Sequence, residues 1–308
     1  MLSIEEIAVR VPSTRAIVAT DYERLHVDAL QARVYSRVYG FNEIPVGEPG
    51  EELALLEGAV EQVLDCSGID PAHIRLIVHT HTGPAVGLVG QSVPRLLARR
   101  FGPQVQCFGM QQHRCVNGIT ALHLLERLLR SQPPHARAIL LMGEVADSKD
   151  LRILDTALVG DVSCAVLVSR CGTQDRVLSE RVEVHGEFAK GIFLAADAPE
   201  RRAYDKVFQD NLLRVIDGAL DGAGVRLEQV RYLLPHNVNI NIWLKAIERM
   251  GLARERVYLR NIARYGHCFS ADAFISLVDL RPELHPGDVY VMATVGVGGV
   301  FGAAVLQH

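Results

Sequence analysis

Two stretches of the chain share one local order of features, and this repeat constrains the fold more than any other feature. Residues 68–82 read GIDPAHIRLIVHTHT, and residues 223–237 read AGVRLEQVRYLLPHN. In each stretch a helical pattern ends at glycine, a short polar link follows, and an apolar strand carries a histidine near its end. The repeat predicts two similar halves that meet near residue 170, residues 1–170 and residues 171–308.

Apolar runs bounded by turn residues alternate with helical patterns along the whole length. The predicted strands cover residues 74–80, 136–146, 164–169, 230–236, 256–261 and 288–296. The predicted helices cover residues 51–65, 93–101, 117–130, 205–220, 240–250 and 271–280. Strands that are apolar throughout are typical of sheets buried on both faces, and their alternation with helices predicts an α/β architecture. Residues 170–202 have no clear period and predict connecting strands and loops.

Composition excludes several classes of function. The 308 residues carry a formal net charge of −4, and the basic residues are scattered, so we expect neither a nucleic-acid nor a membrane partner. No apolar run reaches 18 residues, and the start MLSIEEIAVR lacks the pattern of a signal peptide. Six cysteines at irregular spacing indicate reduced thiols. These features predict a cytoplasmic protein.

Cys115 stands where a predicted strand gives way to a predicted amphipathic helix. The stretch is CFGMQQHRCVNGITALHLLERLL, residues 107–129, and its apolar residues after Cys115 recur at helical spacing. A helix N-terminus stabilises a thiolate, and the carboxyl end of a strand is where α/β proteins bind ligands. From position alone two interpretations stay open. Cys115 is a nucleophile, or it is a small buried residue like many free cysteines.

Two histidines also follow predicted strands. His236 lies in LLPHNVNINIW, where a strand ends and a helix starts, and His267 lies in NIARYGHCFSADAF at a similar junction. A histidine at such a position can act as a general base or donate to an oxyanion. The alternative for both is a buried histidine with a structural role.

Two glycine- or histidine-rich stretches complete the candidate positions. Residues 291–305, VMATVGVGGVFGAAV, predict a strand–turn–strand whose glycines either admit a ligand to the backbone or only form a tight hairpin. In HTHTG, residues 79–83, two histidines share one face of a strand, but no third ligand is spaced to complete a zinc site. Asp161 follows Gly160 directly before an apolar run, and this pattern predicts a turn that leads into a strand. We expect no metal and no cofactor.

The order and spacing of these motifs resemble the thiolase-fold condensing enzymes, and most of all 3-oxoacyl-acyl-carrier-protein synthase III. VGDVSCAVLVS resembles that family's Gly-Asp-Gly-Ala-Gly-Ala strand, and GVGGVFGAAVL resembles its closing glycine-rich strands. HNVNINIW matches His-Gln-Ala-Asn, which places His236 and Asn239 on the family's His and Asn. ARYGHCFSADAF matches Arg-Tyr-Gly-Asn-Thr-Ser-Ala. The resemblance implies an α/β, thiolase-like fold of two similar halves in five αβαβα layers.

The resemblance also implies a mechanism. Cys115 would take an acyl group as a thioester, and the oxyanion would be held by the Cys115 N–H and one N–H of the loop that contains Val297, Gly298 and Gly299. His236 would then hydrogen-bond the carbonyl of a malonyl thioester, so that the carbanion left by decarboxylation attacks the acyl-cysteine. No metal or redox cofactor takes part.

Three departures distinguish this chain from the family. His267 replaces the family's catalytic Asn, and a second histidine can serve decarboxylation or act as a base towards an alcohol or amine. Arg114 and Asn117 replace the usual neighbours of the cysteine. Arg114 either lowers the pKa of the thiol further or recognises an acidic group, or it points to solvent. Val34 and Asn42 replace the Trp and Arg that contact coenzyme A. The last change favours a carrier-bound acyl donor.

The main hypothesis is therefore a Claisen condensation in polyketide or fatty-acid-derived secondary metabolism. It is either decarboxylative or joins two carrier-bound β-keto chains. An alternative keeps the acyl-cysteine and moves the acyl group to a hydroxyl or amine, with His236 or His267 as base. A further alternative is a non-catalytic partner subunit of a paralogue. The expected partners are an acyl carrier protein or another acyl thioester and a second subunit, as a homodimer or as a heterodimer with a paralogue.

Overall fold

The computed structural model describes residues 1–83, 92–146, 148–190, 194–195 and 197–308. The strands are Ser3–Arg10 (β1), Arg15–Ile17 (β2), Glu43–Pro45 (β3), Ile74–Thr80 (β4), Gln106–Met110 (β5), Arg137–Glu144 (β6), Ile153–Leu154 (β7), Ala157–Leu158 (β8), Val162–Ser169 (β9), Arg176–Val184 (β10), Val230–Pro235 (β11), Val289–Gly296 (β12) and Val300–Gln307 (β13). The α-helices are Ala29–Arg33 (α1), Glu52–Ser67 (α2), Val93–Ala98 (α3), Asn117–Leu129 (α4), Lys149–Arg152 (α5), Pro199–Ala223 (α6), Ile240–Met250 (α7), Arg260–Tyr265 (α8) and Asp272–Leu280 (α9).

Nine of the described strands hydrogen-bond in the order β11-β12-β13-β10-β1-β9-β6-β4-β5. The order contains one arrangement twice. In the first half β4 pairs in parallel with β5 and β6, β6 pairs antiparallel with β9, and β9 pairs antiparallel with β1. In the second half β11 pairs in parallel with β12, β12 antiparallel with β13, and β13 antiparallel with β10. A single residue pair, Ser3 with Arg176, joins the two sets of strands.

Helices separate the two sets of strands and cover their outer faces. Helix α4 packs on β4, β6, β10 and β13, and α9 packs on β1, β11 and β12, so both helices touch strands of each set. Helices α2 and α3 cover the outer face of the first set, and α6 covers that of the second. The result is a five-layered αβαβα arrangement, as the resemblance implied.

The strand residues explain why this layering is stable. In β12, Tyr290 and Met292 belong to the apolar core around α4 and α9, whereas Val291 and Ala293 belong to the core beneath α6. Successive side chains of a strand point to opposite faces, so a strand that is apolar throughout serves two cores at once. The prediction of strands buried on both faces is confirmed.

The predicted strand at residues 256–261 is wrong. Only Val257 pairs there, in a single parallel bridge with Leu233, and helix α8 follows from Arg260. This bridge occupies the place beside β11 that β5 occupies beside β4, so the fifth strand of the second half is reduced to one residue. The pattern VYLRN is equally compatible with a short strand and with the start of a helix.

Strand β1 was not predicted from the sequence, although it lies in the middle of the sheet. Its pairing with β9 shifts register between Ile4 and Glu6, and this irregularity breaks the period-two alternation. Glu5 is nevertheless satisfied in the sheet because Arg137 Nε donates to it at 2.8 Å. The two adjacent glutamates, Glu5 and Glu6, interrupt the apolar pattern by which a buried strand is predicted. Among the described residues, no helix is both long enough and apolar enough to cross a membrane.

The contact between α4 and α9 leads to a stability prediction. A Cβ added at Gly118 would lie 2.9 Å from Phe274 Cε2 and 2.9 Å from the Ser270 carbonyl oxygen. We expect Gly118→Ala to lower the free energy of unfolding by about 1–3 kcal/mol because the added methyl overpacks the central layer. Urea unfolding followed by circular dichroism measures this change. Gly186 has no atom within 4 Å of the same added carbon, so Gly186→Ala is the matched control and should leave stability nearly unchanged. Equal effects of the two substitutions would contradict the close α4–α9 contact.

Candidate active site

The structure brings together the three residues that the sequence singled out. Cys115 lies in the short turn Arg114–Val116 between β5 and α4, and it is only 3% exposed. His236 follows β11, where its backbone N–H donates to the Ala293 carbonyl oxygen of β12 at 3.0 Å. His267 follows α8, and its ring centroid lies 5.9 Å from that of His236. The carboxyl ends of the parallel strands converge here, as expected for an α/β protein.

Cys115 and His267 are in direct contact. Cys115 Sγ lies 3.1 Å from His267 Nε2. On the other side of the ring, His267 Nδ1 lies 2.6 Å from Asp272 Oδ2, and both side chains are buried. A carboxylate only accepts hydrogen bonds, so Nδ1 carries a proton and Nε2 is the nitrogen that exchanges a proton with the thiol. The three residues form a Cys–His–Asp relay.

Asp272 is the functional candidate that sequence reasoning missed. Its carboxylate accepts from four donors, His267 Nδ1, the Cys268 N–H at 2.7 Å, the Asn237 N–H at 2.7 Å and Asn237 Nδ2 at 3.1 Å. It is also the first residue of α9, where the helix dipole favours negative charge. A signal was present, because Asp272 is the one charged residue in the apolar run CFSADAFISLV, residues 268–278. A buried carboxylate needs partners, and His267 precedes it by five residues.

The two histidines differ in charge. Burial opposes protonation of His267, but its interactions with the Asp272 carboxylate and with the Cys115 sulfur outweigh burial and raise the pKa of His267 to about 10. Burial, followed by repulsion from His267, holds the pKa of His236 well below its ordinary value of 6.5. His267 is therefore an imidazolium at neutral pH, and His236 is neutral.

The backbone on both sides of the site is strained. Arg114 precedes Cys115 with φ +52°, and Phe269 follows His267 by two residues with φ +51°. A left-handed conformation costs a side-chain-bearing residue about 1–2 kcal/mol. Phe269 packs with Cys115 and Val159 in a small apolar cluster, and its ring lies 5.4 Å from that of His267. This packing fixes both turns.

Cys115, His236 and His267 face one cavity of about 310 Å³. Its apolar wall comes from Leu154, Tyr204, Phe208, Val238, Ile242, Val295 and Val297, and polar groups include Thr156, Gln209, Asn239, Asn241 and Lys245. Arg201 also lines the cavity, where it bridges Asp155 at 3.0 Å and Asp205 at 3.1 Å. A buried thiol beneath a mostly apolar channel suits an acyl group delivered on a narrow arm.

The other predicted site residues divide into two groups. Asn239 and Val297 line the cavity. Gly298 and Gly299 form the turn of the predicted hairpin, with φ +96° and +81°, and a Cβ at Gly299 would lie 2.6 Å from the His185 carbonyl oxygen. These two glycines therefore pack against the loop at His185, away from the cavity lining.

Arg114 and Asn117 support the nucleophile turn. Arg114 Nη1 donates to the Thr82 carbonyl oxygen at 2.5 Å, a contact that the sequence did not predict. Asn117 Oδ1 accepts from the His113 N–H at 3.2 Å, and its Nδ2 donates to the Gln111 carbonyl oxygen at 3.0 Å. Both side chains brace the loop that carries Cys115.

No group of three or more His, Cys, Asp or Glu side chains in the described ranges is arranged to hold a metal ion. His79 and His81 stack with ring centroids 5.4 Å apart, and burial lowers the pKa of His79 to about 4. Asp161 is fully buried and paired with Arg152, which is a structural arrangement.

Known proteins are similar to this chain in both sequence and fold. Residues 220–308 match the sequence model of the 3-oxoacyl-acyl-carrier-protein synthase III C-terminal region. The beta-ketoacyl-acyl-carrier-protein synthase III of Coxiella burnetii is 24% identical over 290 residues, which cover 84% of each chain. The chain has the thiolase fold and is similar in sequence to these condensing enzymes. The resemblance found in the sequence and the predicted fold class are both confirmed.

Two solved structures are similar over nearly the whole chain. The acyltransferase ChlB3 superposes with a TM-score of 0.87 at 20% identity, over 99% of this chain and 97% of that one. OleA of Xanthomonas campestris superposes with a TM-score of 0.83 at 16% identity, over 100% and 98%. These likenesses establish the thiolase fold of this chain. The acceptor, the second step and the site residues stay proposals.

The charges of the two histidines can be measured directly. We expect side-chain nitrogen NMR at pH 7.5 to show His267 with protons on both ring nitrogens and His236 with one. In Asp272→Asn the carboxylate is lost, so the pKa of His267 should fall from about 10. His267→Asn assigns the resonances. A neutral His267 in the unmodified enzyme at pH 7.5 would refute the relay.

Proposed function

We propose that this condensing enzyme carries an acyl group on Cys115 and transfers it to a hydroxyl or amine acceptor, with His267 as general base and Asp272 as its positioning partner. The supporting observation is the relay itself, in which Nδ1 of His267 faces Asp272 and Nε2 faces the thiol, at 2.6 and 3.1 Å. In the synthase III motif an asparagine stands at this position, and an asparagine cannot accept a proton.

The first step loads the enzyme. The Cys115 thiolate attacks the carbonyl carbon of an acyl thioester, and the bond from that carbon to the leaving sulfur breaks. The His267 imidazolium gives its Nε2 proton to the departing thiolate. The products are acyl-Cys115, a free thiol on the donor and a neutral His267.

Loading prepares His267 for the second step. The Cys115 thiolate is one of the charges that raise the pKa of His267, and acylation removes this charge. The pKa of His267 then falls, and Nε2 accepts the proton of an acceptor hydroxyl or amine as the acceptor attacks the thioester. The sulfur leaves as a thiolate, the imidazolium reforms, and the resting pair is restored.

The oxyanion of both steps has two candidate donors. The Cys115 N–H lies in the turn just before α4, and the predicted loop reaches the cavity at Gly296 and Val297. Gly296 packs against the nucleophile turn so closely that an added Cβ would lie 2.5 Å from the His113 carbonyl oxygen. Neutral His236 offers a third hydrogen bond to a carbonyl in the cavity.

Claisen condensation is the second candidate, and the neutral His236 supports it. A neutral imidazole can donate to the thioester carbonyl of a malonyl unit and stabilise the enolate formed on decarboxylation. The sequence favoured this reaction. The geometry shifts the preference, because an acylated enzyme with neutral His267 presents a lone pair on Nε2 where the reaction needs a second donor. The complete Cys–His–Asp relay also argues against a non-catalytic subunit.

The burial of Cys115 bears on the donor. A thiol that is 3% exposed, beneath a cavity of about 310 Å³, is reachable by an acyl group on a slender arm such as that of a carrier protein or coenzyme A. Val34 and Asn42 replace the residues that contact coenzyme A in the family, which favours a carrier protein. The unpaired flank of β5, last in the strand order of the described sheet, is a surface on which a second subunit would continue the sheet.

Loading and transfer can be separated experimentally. Acetyl- and malonyl-N-acetylcysteamine serve as donors, and intact mass reports acylation of the wild type and its absence in Cys115→Ala. Hydroxylamine is then added to purified acyl-enzyme as an amine acceptor. We expect His267→Asn to slow this transfer by about 10²–10⁴-fold because the general base is lost.

His79→Asn is the matched control, since His79 is a buried histidine outside the cavity lining and should leave transfer unchanged. Release of carbon dioxide from malonyl-loaded enzyme, together with an unchanged hydroxylamine rate in His267→Asn, would replace acyl transfer with Claisen condensation.

A further inference from the structure

Residues 158–160 hold the backbone of His267 by hydrogen bonds, and a buried ion pair in turn fixes these residues. The His267 N–H donates to the Leu158 carbonyl oxygen at 2.8 Å, and the Gly160 N–H donates to the His267 carbonyl oxygen at 3.0 Å. Val159, between them, forms an isolated parallel bridge with His267. The position of the imidazole therefore depends on where residues 158–160 lie.

Arg152 and Asp161 are the ion pair that fixes this segment. Arg152 Nη2 lies 2.7 Å from Asp161 Oδ2, and Nη1 lies 2.9 Å from Oδ1, which is a bidentate geometry. Arg152 is 4% exposed and Asp161 is fully buried. Arg152 Nη1 also donates to the Val159 carbonyl oxygen at 2.9 Å, so the guanidinium holds the residue that pairs with His267.

The same ion pair also forms hydrogen bonds with the neighbouring loops. The Asp161 carboxylate accepts from the Gly47 N–H at 2.7 Å and from the Ala146 N–H at 2.9 Å, and Arg152 Nη2 donates to the Ala146 carbonyl oxygen at 3.0 Å. The guanidinium and the carboxylate that make these contacts are both buried, and hydrogen bonds to buried charged groups are strong and directional.

There is little room for the segment to shift. A Cβ at Gly160 would lie 1.8 Å from the Tyr265 carbonyl oxygen, so the backbone runs directly against the turn that leads to His267. Val159 packs with Cys115 and Phe269, which places one residue of the segment under both the thiol and the strained turn. A displacement of Val159 would therefore change the distance between Cys115 and His267.

We propose that the buried Arg152–Asp161 pair is a positioning element for His267, which sets the Cys115–His267 geometry through the backbone of residues 158–160. This inference rests on the role proposed above for His267 as the base. The pair touches neither the thiol nor the imidazole, and it acts through Val159 and its hydrogen-bonded neighbours.

A double substitution separates positioning from stability. Removing one partner of a buried ion pair leaves the other charge unpaired, whereas replacing both partners with uncharged residues of similar size is often tolerated. In Arg152→Met/Asp161→Asn we therefore expect a folded protein in which the 158–160 segment is no longer clamped. The matched control is Arg281→Met/Asp175→Asn, because Arg281 and fully buried Asp175 form an ion pair of 2.9 Å near the chain termini.

The readout is the rate at which iodoacetamide alkylates Cys115 at pH 6, measured by intact mass, and it needs no substrate. At this pH a thiol without a partner is almost entirely protonated, so fast alkylation requires proton transfer to His267. We expect Arg152→Met/Asp161→Asn to be slower than wild type by about tenfold or more, approaching His267→Asn. The control pair should alkylate at the wild-type rate.

The outcomes distinguish the two proposals. A wild-type alkylation rate in Arg152→Met/Asp161→Asn, with His267→Asn slow, would overturn the positioning role alone. Equal rates in wild type and His267→Asn would overturn the role of His267 as base, and with it the proposed function. Slow alkylation in both double variants would assign the effect to general destabilisation and reject the positioning role. A single variant, Asp161→Asn, should lose more stability than the double variant because it leaves Arg152 unpaired.

Discussion

The hydrogen bond between His267 Nδ1 and the Asp272 carboxylate is the interaction on which the chemistry of this site depends. An ionised carboxylate in the interior is costly unless donors surround it, and Asp272 has four within 3.1 Å. Those donors come from the turn after β11 and from the turn before α9, so one buried charge ties two elements together. It also orients His267 and keeps that residue protonated beside Cys115. His236, with no carboxylate, stays neutral although it lies nearby.

The layered fold supplies the places for these groups. Helices α4 and α9 form the central layer and touch strands of both sets, and their N-termini carry Cys115 and Asp272 to the same region. Glycine allows the close approaches that this needs, as at Gly118 between the helices and at Gly296 behind the nucleophile turn. The cavity then opens between α6, α7 and the ends of the second set of strands. The site is built where the two halves meet.

The comparison of sequence with structure is instructive at particular residues. Cys115, His236 and His267 were recognised because each follows a predicted strand, and their motifs occur in the order found in a known family. Asp272 was missed because it lies in an apolar helix with no motif of its own, and its role depends on an orientation towards His267 that sequence spacing does not give. Arg114 was expected to lower the pKa of the thiol, to recognise an acidic group or to point to solvent. Its guanidinium donates to the Thr82 carbonyl oxygen, a contact that sequence spacing does not give. The strand at residues 256–261 failed because a five-residue apolar pattern does not distinguish a strand from the start of a helix.

The sequence by itself determined the α/β layering, the repeated order of elements and the identity of the nucleophile candidate. These follow from periodicity and local motifs, which are properties of neighbouring residues. Only the tertiary structure decided which histidine faces the thiol and which carboxylate faces that histidine. It also decided that the Arg152–Asp161 ion pair contacts the segment that holds His267. Cys115 and His267 are 152 positions apart along the chain, and the 3.1 Å between their side-chain atoms is set by the packing of the whole central layer. That distance makes the second histidine a candidate base, and it shifts the proposed reaction from carbon–carbon bond formation to acyl transfer.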